Sequence, residues 1–174
     1  MGILICGLNG AGKSTLGKKL AERLSYTFID NEDLYFPKTD EHYIFADPRS
    51  DEEVIHLLEE RITADDRFVF AAVKGSYGDR LLSLLEYVIV IDVPREIRLE
   101  RVRNRSRQKF GDRITDGGDL SDRENKWFSL VESRPEDLVS TWLTEANLTC
   151  PVIHIDGTQP VEKNVEFLLT QLRR

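Results

Sequence analysis

Gly7-Leu8-Asn9-Gly10-Ala11-Gly12-Lys13-Ser14 fits the spacing G-x-x-x-x-G-K-[ST]. The chemistry served by this pattern is the holding of phosphate oxygens. Glycines at Gly7, Gly10 and Gly12 let backbone N–H groups converge on an anion with no Cβ in the way, and the start of a helix adds partial positive charge. Lys13 is suited to bridge a β- and a γ-phosphate, Ser14 to offer its hydroxyl to Mg²⁺, and the neighbouring Thr15 to contact an α-phosphate. Asn9 and Ala11 supply the remaining loop backbone. The ligand expected is ATP with Mg²⁺.

Phe28-Ile29-Asp30-Asn31-Glu32-Asp33 then places three carboxylates at the C-terminal end of a strand, where open α/β sheets bind ligands. A carboxylate there can take the proton of an attacking hydroxyl or hold Mg²⁺ through water. Asp30 and Glu32 are the candidate bases, and Asp30 is also the candidate metal ligand. The choice between them stays open, and helix-capping acids would look the same. Val88-Ile89-Val90-Ile91-Asp92 is an apolar run ending in an acid, but Pro94 follows at once and Asp92 reads as structural. The third strand ends in Val73-Lys74-Gly75, where Lys74 either contacts an anionic substrate or lies on the surface.

Residues 95–113 hold eight Lys/Arg against three acids, whereas residues 30–66 hold thirteen acids against three Lys/Arg. Such asymmetry suits a segment that grips a polyanion, and two solvated helix faces would account for it equally simply. At 100° per residue Arg98, Arg101 and Arg105 fall within about 60° of one another, beside the apolar Leu99 and Val102. Arg103 and Arg107 point elsewhere. Arg101, Arg105 and, further on, Arg113 are the cations expected to close over a transferring phosphoryl group. Arg113 lies between Gly111 and Gly117-Gly118, in a segment expected to move.

The elements that would position these residues alternate short apolar runs with longer amphipathic stretches, as a parallel sheet with crossover helices requires. Strands are predicted over 2–6, 27–30, 68–73, 87–93 and 152–155, and helices over 13–24, 51–64, 95–109, 124–131, 135–146 and 161–172. Ser50, Pro135 and Pro160 stand where helices begin. Two stretches lack periodicity, 31–50 and 110–122, and long loops in a compact domain are binding loops or lids. The first carries Tyr35, Phe36, Lys38, His42, Tyr43, Phe45 and Arg49. Its aromatics either cover a ring or hold the loop down as a satellite core. Trp127 and Trp142, on predicted helices, read as core, and His154 as structural.

These motifs resemble the nucleotide and small-molecule kinase branch of the P-loop proteins, which includes adenylate, shikimate and gluconate kinases. Asp30 and Glu32 are similar to the Asp-x-Asp of shikimate-type kinases, with Glu in place of the second Asp. Arg101-Val102-Arg103-Asn104-Arg105 resembles the R-x-x-x-R that opens the lid in adenylate and shikimate kinases, where the first arginine packs near adenine or phosphate. Asp156-Gly157-Thr158-Gln159-Pro160 is similar to the loop that contacts adenine, and an ordinary Asp-Gly turn fits it equally well. The resemblance implies a three-layer α/β/α fold, with a five-stranded parallel sheet of order 2-3-1-4-5 and a lid. It also implies ATP·Mg²⁺-dependent transfer to a small-molecule acceptor. Many nucleoside monophosphate kinases place Asp-Gly where this chain has Lys74-Gly75, which disfavours a strict member of that group.

A length of 174 residues, 40% of them apolar, suits one domain over 1–174. A net charge of −7 disfavours an extended nucleic-acid or anionic-membrane surface. Cys6 and Cys150 lack metal-ligand spacing and read as reduced thiols. The chain opens directly on a strand-like run and has no membrane-length apolar stretch, so a cytoplasmic location is expected. Monomer and homodimer both remain open. A switch GTPase would need a late Asn-Lys-x-Asp, and the nearest likeness, Lys38-Thr39-Asp40, follows the second strand. Two further readings stay in view: a non-catalytic ATP-binding regulator or slow ATPase, and a polynucleotide kinase.

Overall fold

The computed structural model describes residues 1–172. Five strands, β1 (Gly2–Cys6), β2 (Thr27–Asp30), β3 (Phe68–Ala71), β4 (Leu85–Asp92) and β5 (Val152–Asp156), form one sheet of order β2-β3-β1-β4-β5. All four pairings are parallel. The helices are α1 (Lys13–Leu24), α2 (Asn31–Tyr35), α3 (Asp51–Ala64), α4 (Asp79–Leu84), α5 (Arg95–Phe110), α6 (Ser121–Ser133), α7 (Leu138–Glu145) and α8 (Val161–Gln171), with a 3₁₀ turn at Gly111–Ile114.

The central strand shows why two covering layers are needed. Every residue of β1 is buried, the continuous apolar pattern of a strand covered on both faces. Leu4 and Cys6 face one core with Leu58 of α3, Leu81 of α4 and Trp142 of α7. Ile3 and Ile5 face the other with Leu16 and Leu20 of α1 and Leu168 of α8. Strand alternation thus sorts one short sequence into two cores. The expected three-layer fold and strand order are present, and all strands point their C-terminal ends to the same edge, where β1 runs into the phosphate loop and β2 ends in Asp30.

Several boundaries differ from expectation. The loop expected over 31–50 starts as helix α2, because the Asp30 carboxylate accepts the Glu32 N–H at 2.9 Å and Glu32 and Asp33 stand favourably in the first turn. Helix α4 was not expected; six residues are too few to display a helical period. The stretch 110–122, expected as a lid, contains the 3₁₀ turn, and α6 begins at Ser121 rather than 124. Strand β3 ends at Ala71 rather than 73 and β4 begins at Leu85 rather than 87. Residues 135–137 make a turn, closed by Leu138 N–H to the Pro135 carbonyl at 3.2 Å, before α7 begins. Ser50 caps α3 in a reciprocal capping box with Glu53. No helix among the described residues is long and apolar enough to cross a membrane. Both cysteines are unpaired, and burial pushes the Cys6 thiol up to about 12.

Candidate active site

The phosphate loop takes the backbone conformation its glycines permit. Gly10 and Gly12 have φ of 84° and 98°, in the left-handed region, and Gly12 is the residue from which α1 starts. A Cβ on Gly10 would lie 2.2 Å from the carbonyl oxygen of Arg98, a backbone atom of α5 that cannot give way. The loop is anchored behind by Gly7 N–H to the Val73 carbonyl, 3.3 Å. Lys13 is half-buried, and its ammonium donates to the Leu8 carbonyl at 3.2 Å. Burial pulls its pKa down to about 8, against the opposing pull of Cys6 and Asp30.

A cleft of about 740 Å³ opens on this loop. Asn9, Gly10, Lys13 and Ser14 form one end, and Asp30 and Glu32 reach it from the end of β2 and the start of α2. The two acids differ in what they touch. Glu32 is spoken for: it pairs with Lys38 at 3.1 Å and with Arg105 at 3.7 Å. Asp30 uses Oδ1 to cap α2 and makes no ion pair with a described residue, which leaves Oδ2 available to a ligand. Asp33 is turned outward onto Lys38.

The three arginines expected to act together are divided. Arg105 lines the cleft. Arg101, one helical turn earlier, lies on the other side of the phosphate loop and donates to the carbonyls of Gly10 and Gly157 at 3.4 and 3.1 Å. The 5.4 Å rise of one turn separates two side chains that share an edge of the helix. Arg113 is not brought to the phosphate loop; it donates to the Asp119 carboxylate at 2.8 Å and to the His42 carbonyl at 2.7 Å. It therefore ties residues 113–119 to the 36–49 loop. Beyond Arg101 is a smaller recess of about 300 Å³, lined by Ala11, Gly12, Thr15, Gly157 and Gln159 among others. Asp156 shapes its rim by accepting from Thr158 N–H at 2.8 Å, the Thr158 hydroxyl at 2.6 Å and Gln159 at 3.1 Å. These bonds hold the Asp156 carboxyl below its usual range.

Two arginines without a motif are central. Arg134, between α6 and Pro135, lines the cleft and donates to Asn9 Oδ1 at 2.9 Å. Arg98 is 4% exposed; it donates to the Val93 carbonyl at 3.1 Å, to the Asn9 carbonyl at 3.4 Å, and to both oxygens of Glu136 at 2.8 and 2.6 Å. It fastens the phosphate loop to the end of β4 and to the turn before α7. Neither residue announced itself in the sequence. Arg98 shared an edge with Arg101 and Arg105, but its burial depends on how α5 packs, and Arg134 stands alone before a proline. Trp127, expected in the core, is half-buried and lines the cleft, whereas Trp142 is core. Tyr77 is also in the cleft, donating to Asn31 Oδ1 at 2.6 Å.

Tyr43 ties the 36–49 loop to α6, the helix into which residues 110–122 lead. Its hydroxyl donates to Glu124 Oε1 at 2.7 Å. Glu124 is 1% exposed and its Oε2 has no partner among the described residues. Burial and this carboxylate raise the Tyr43 pKa. Tyr43→Phe would leave a buried carboxylate with no donor, and loss of a hydrogen bond to a charged group costs about 2 kcal/mol. Amide hydrogen exchange is then expected to quicken at least tenfold over residues 40–46 and 111–120, with β1 and β3 unchanged. Equal protection in variant and parent would show that this bond does not hold the 36–49 loop down.

A family model described as an AAA domain matches residues 3–126. The chain belongs to the AAA-domain family. A relative of this AAA-domain chain, the uncharacterized protein YqaC of Bacillus subtilis (strain 168), is 32% identical over 176 residues, spanning 98% of this chain and 96% of its own. Among solved structures, a gluconokinase from Sinorhizobium meliloti 1021 aligns over 99% of this chain and 91% of its own, with a TM-score of 0.57 and 21% identity. Shikimate kinase from Aquifex aeolicus vf5 aligns over 99% and 96%, with a TM-score of 0.53 and 20% identity. At these identities the likeness is one of fold, and the fold is that of the P-loop kinase group.

Proposed function

We propose that the protein is an ATP-dependent phosphotransferase that moves the γ-phosphoryl group of ATP to a hydroxyl or phosphate oxygen of a small molecule. The observation that carries this reading is the convergence, in one cleft, of a phosphate loop, a carboxylate with an oxygen that bonds to no described residue, and Lys13 and Arg134, which pair with no acid among the described residues. The adenine end of ATP would take the recess beside Arg101 and Gly157, with Thr15 at the α-phosphate. Asp156 and Thr158 act there by shaping the loop.

The donors suit Mg²⁺, which favours hard oxygens, few protein ligands and phosphate. Ser14 would give its hydroxyl and Asp30 its carboxylate, the latter through water. Bound there, the ion would offset phosphate charge. The remaining work falls to the chain. Lys13 and Arg105 fix the phosphates and the charge that develops on them. With a hydroxyl acceptor, Asp30 Oδ2 takes the proton as the new O–P bond forms, and the bond from the γ-phosphorus to the bridging oxygen breaks to release ADP. The fixed cations need no rearrangement during transfer, which is the economy a preorganised site provides.

An ADP-release screen of nucleosides, nucleotides, sugars and hydroxy acids with ATP and Mg²⁺ tests this. At least one class is expected to raise ADP release tenfold or more above the intrinsic rate, with a phosphorylated product. No rise with any class would favour an ATP-binding regulator or slow ATPase, and labelling of 5′-hydroxyl oligonucleotides alone would favour a polynucleotide kinase.

A further inference from the structure

Beyond the phosphate loop, the cleft has a composition that phosphoryl transfer alone does not require. Aromatic rings from two separate segments meet there. Phe36 and Phe45 lie edge to face with centroids 5.2 Å apart, and Tyr43 and Phe45 do so at 5.7 Å. Phe110, from the end of α5, completes the group at 5.6 Å from Tyr43 and 6.1 Å from Phe45. All four line the cleft. Tyr43 is buried and fixed from behind by Glu124, but Phe36, Phe45 and Phe110 are only partly buried. A satellite core would cover these rings; here ring surface is left toward the cavity. Lys109 lies over Phe45 at 4.5 Å from its centroid.

The charges are also unbalanced. Lys13, Lys74, Arg105, Lys109 and Arg134 line the cleft against Asp30 and Glu32. Glu32 is shared by Arg105 and Lys38. Arg134 donates to the neutral amide of Asn9, and among the described residues no carboxylate pairs with it. Half-buried Lys74, at the sheet edge after β3, makes neither a side-chain hydrogen bond nor an ion pair with a described residue. Two cations without acid partners in one partly desolvated cleft favour an anionic occupant.

An open-chain polyol has no continuous apolar face to lay on an aromatic wall, and several of its hydroxyls would face ring carbons without partners. It suits a planar ring, which stacks or packs edge to face. We propose that the acceptor is an anion bearing a planar aromatic ring, its ring against Phe36, Phe45 and Phe110 and its phosphate or carboxylate at Lys74 and Arg134. This deepens the phosphotransferase reading, on which the word acceptor rests. A cavity of about 740 Å³ has room for such a molecule beside a transferring phosphoryl group.

Trp127 lines the same cleft and reports on its occupancy. The full chain, without ATP, is titrated by tryptophan fluorescence with thymidine 5′-monophosphate, thymidine, 4-hydroxyphenylacetate, gluconate and shikimate. One ring-bearing anion is expected to bind at least tenfold more tightly than thymidine, gluconate and shikimate, and whether it is the phosphate or the carboxylate identifies the anionic group. Phe45→Ala should weaken that binding about tenfold or more. Phe45→Leu, which keeps the volume, should weaken it less while melting at the parent's temperature. Lys74→Gln should lose the preference for anion over thymidine and keep the preference for thymidine over gluconate. Gluconate or shikimate binding as tightly as the ring-bearing anions, affinity within twofold in Phe45→Ala, or no binding by any probe would overturn the proposal. The titration contains no ATP, so its failure leaves the ADP-release result standing. Tight ring-anion binding without ADP release would strike the phosphotransferase reading instead.

Discussion

Lys13→Met is expected to lower phosphoryl transfer about 10³-fold, the cost of removing a fixed charge from a developing oxyanion, while leaving the unliganded protein at least as stable as the parent. The two halves of this expectation have one cause. In the free protein the Lys13 ammonium donates to the Leu8 carbonyl, and among the described residues no carboxylate pairs with it. Burial disfavours its charge, which is why its pKa falls to about 8, and Arg105 and Arg134 push in the same direction. The fold thus holds a cation where only phosphate would welcome it. Methionine keeps the length and removes the charge, so the unliganded protein loses an unfavourable feature. Nucleotide affinity should fall about 10²-fold, in line with removing one partner of a buried charge contact. Scanning fluorimetry, calorimetric titration with ATP and Mg²⁺, and ADP release read the three quantities separately. A variant that melts several degrees lower would show Lys13 to be structural, and one keeping a tenth of the parent rate would remove it from the transfer step.

What the sequence made legible follows the same logic. Gly10, Gly12 and Lys13 could be read because a backbone wrapped around phosphate tolerates few residue types at few spacings. The two cores could be read from β1, whose alternating Leu4, Cys6 and Ile3, Ile5 must be covered on both sides. Asp30 was legible as a carboxylate at a strand end, but its separation from Glu32 was not. Lys38 and Arg105, which occupy Glu32, arrive from 6 residues along the chain and from a distant helix, and no spacing encodes that meeting. Arg101 and Arg105 shared an angular edge, yet the axial rise sent them to opposite sides of the loop, a distinction that a helical wheel discards. The glycines around Arg113 predict a mobile tip, but its partners Asp119 and His42 depend on how residues 110–122 dock on the 36–49 loop. Arg134 and the buried Arg98 grip Asn9 from two sides, through tertiary contacts that no local pattern foretells.

The separation of the two acids leads to the second large effect. Asp30→Asn is expected to lower the rate of transfer to a hydroxyl acceptor by about 10²- to 10⁴-fold, the range supplied by a positioned general base. The substitution is chosen so that structure stays constant. Asparagine caps helices as well as aspartate does, so its side-chain oxygen can still accept the Glu32 N–H and α2 should keep its start. What is lost is the basic oxygen that makes no bond to the described residues. Glu32→Gln makes the contrast. Its carboxylate is divided between Lys38 and Arg105, both well exposed enough for solvent to screen the loss. A fall of less than about tenfold is expected there, because no proton transfer is assigned to it. Circular dichroism and melting temperature should match the parent in both variants, and ATP affinity measured without Mg²⁺ should be unchanged in Asp30→Asn. If Glu32→Gln proved the more damaging of the two, the base would be Glu32, and its pairs with Lys38 and Arg105 would have to open before transfer.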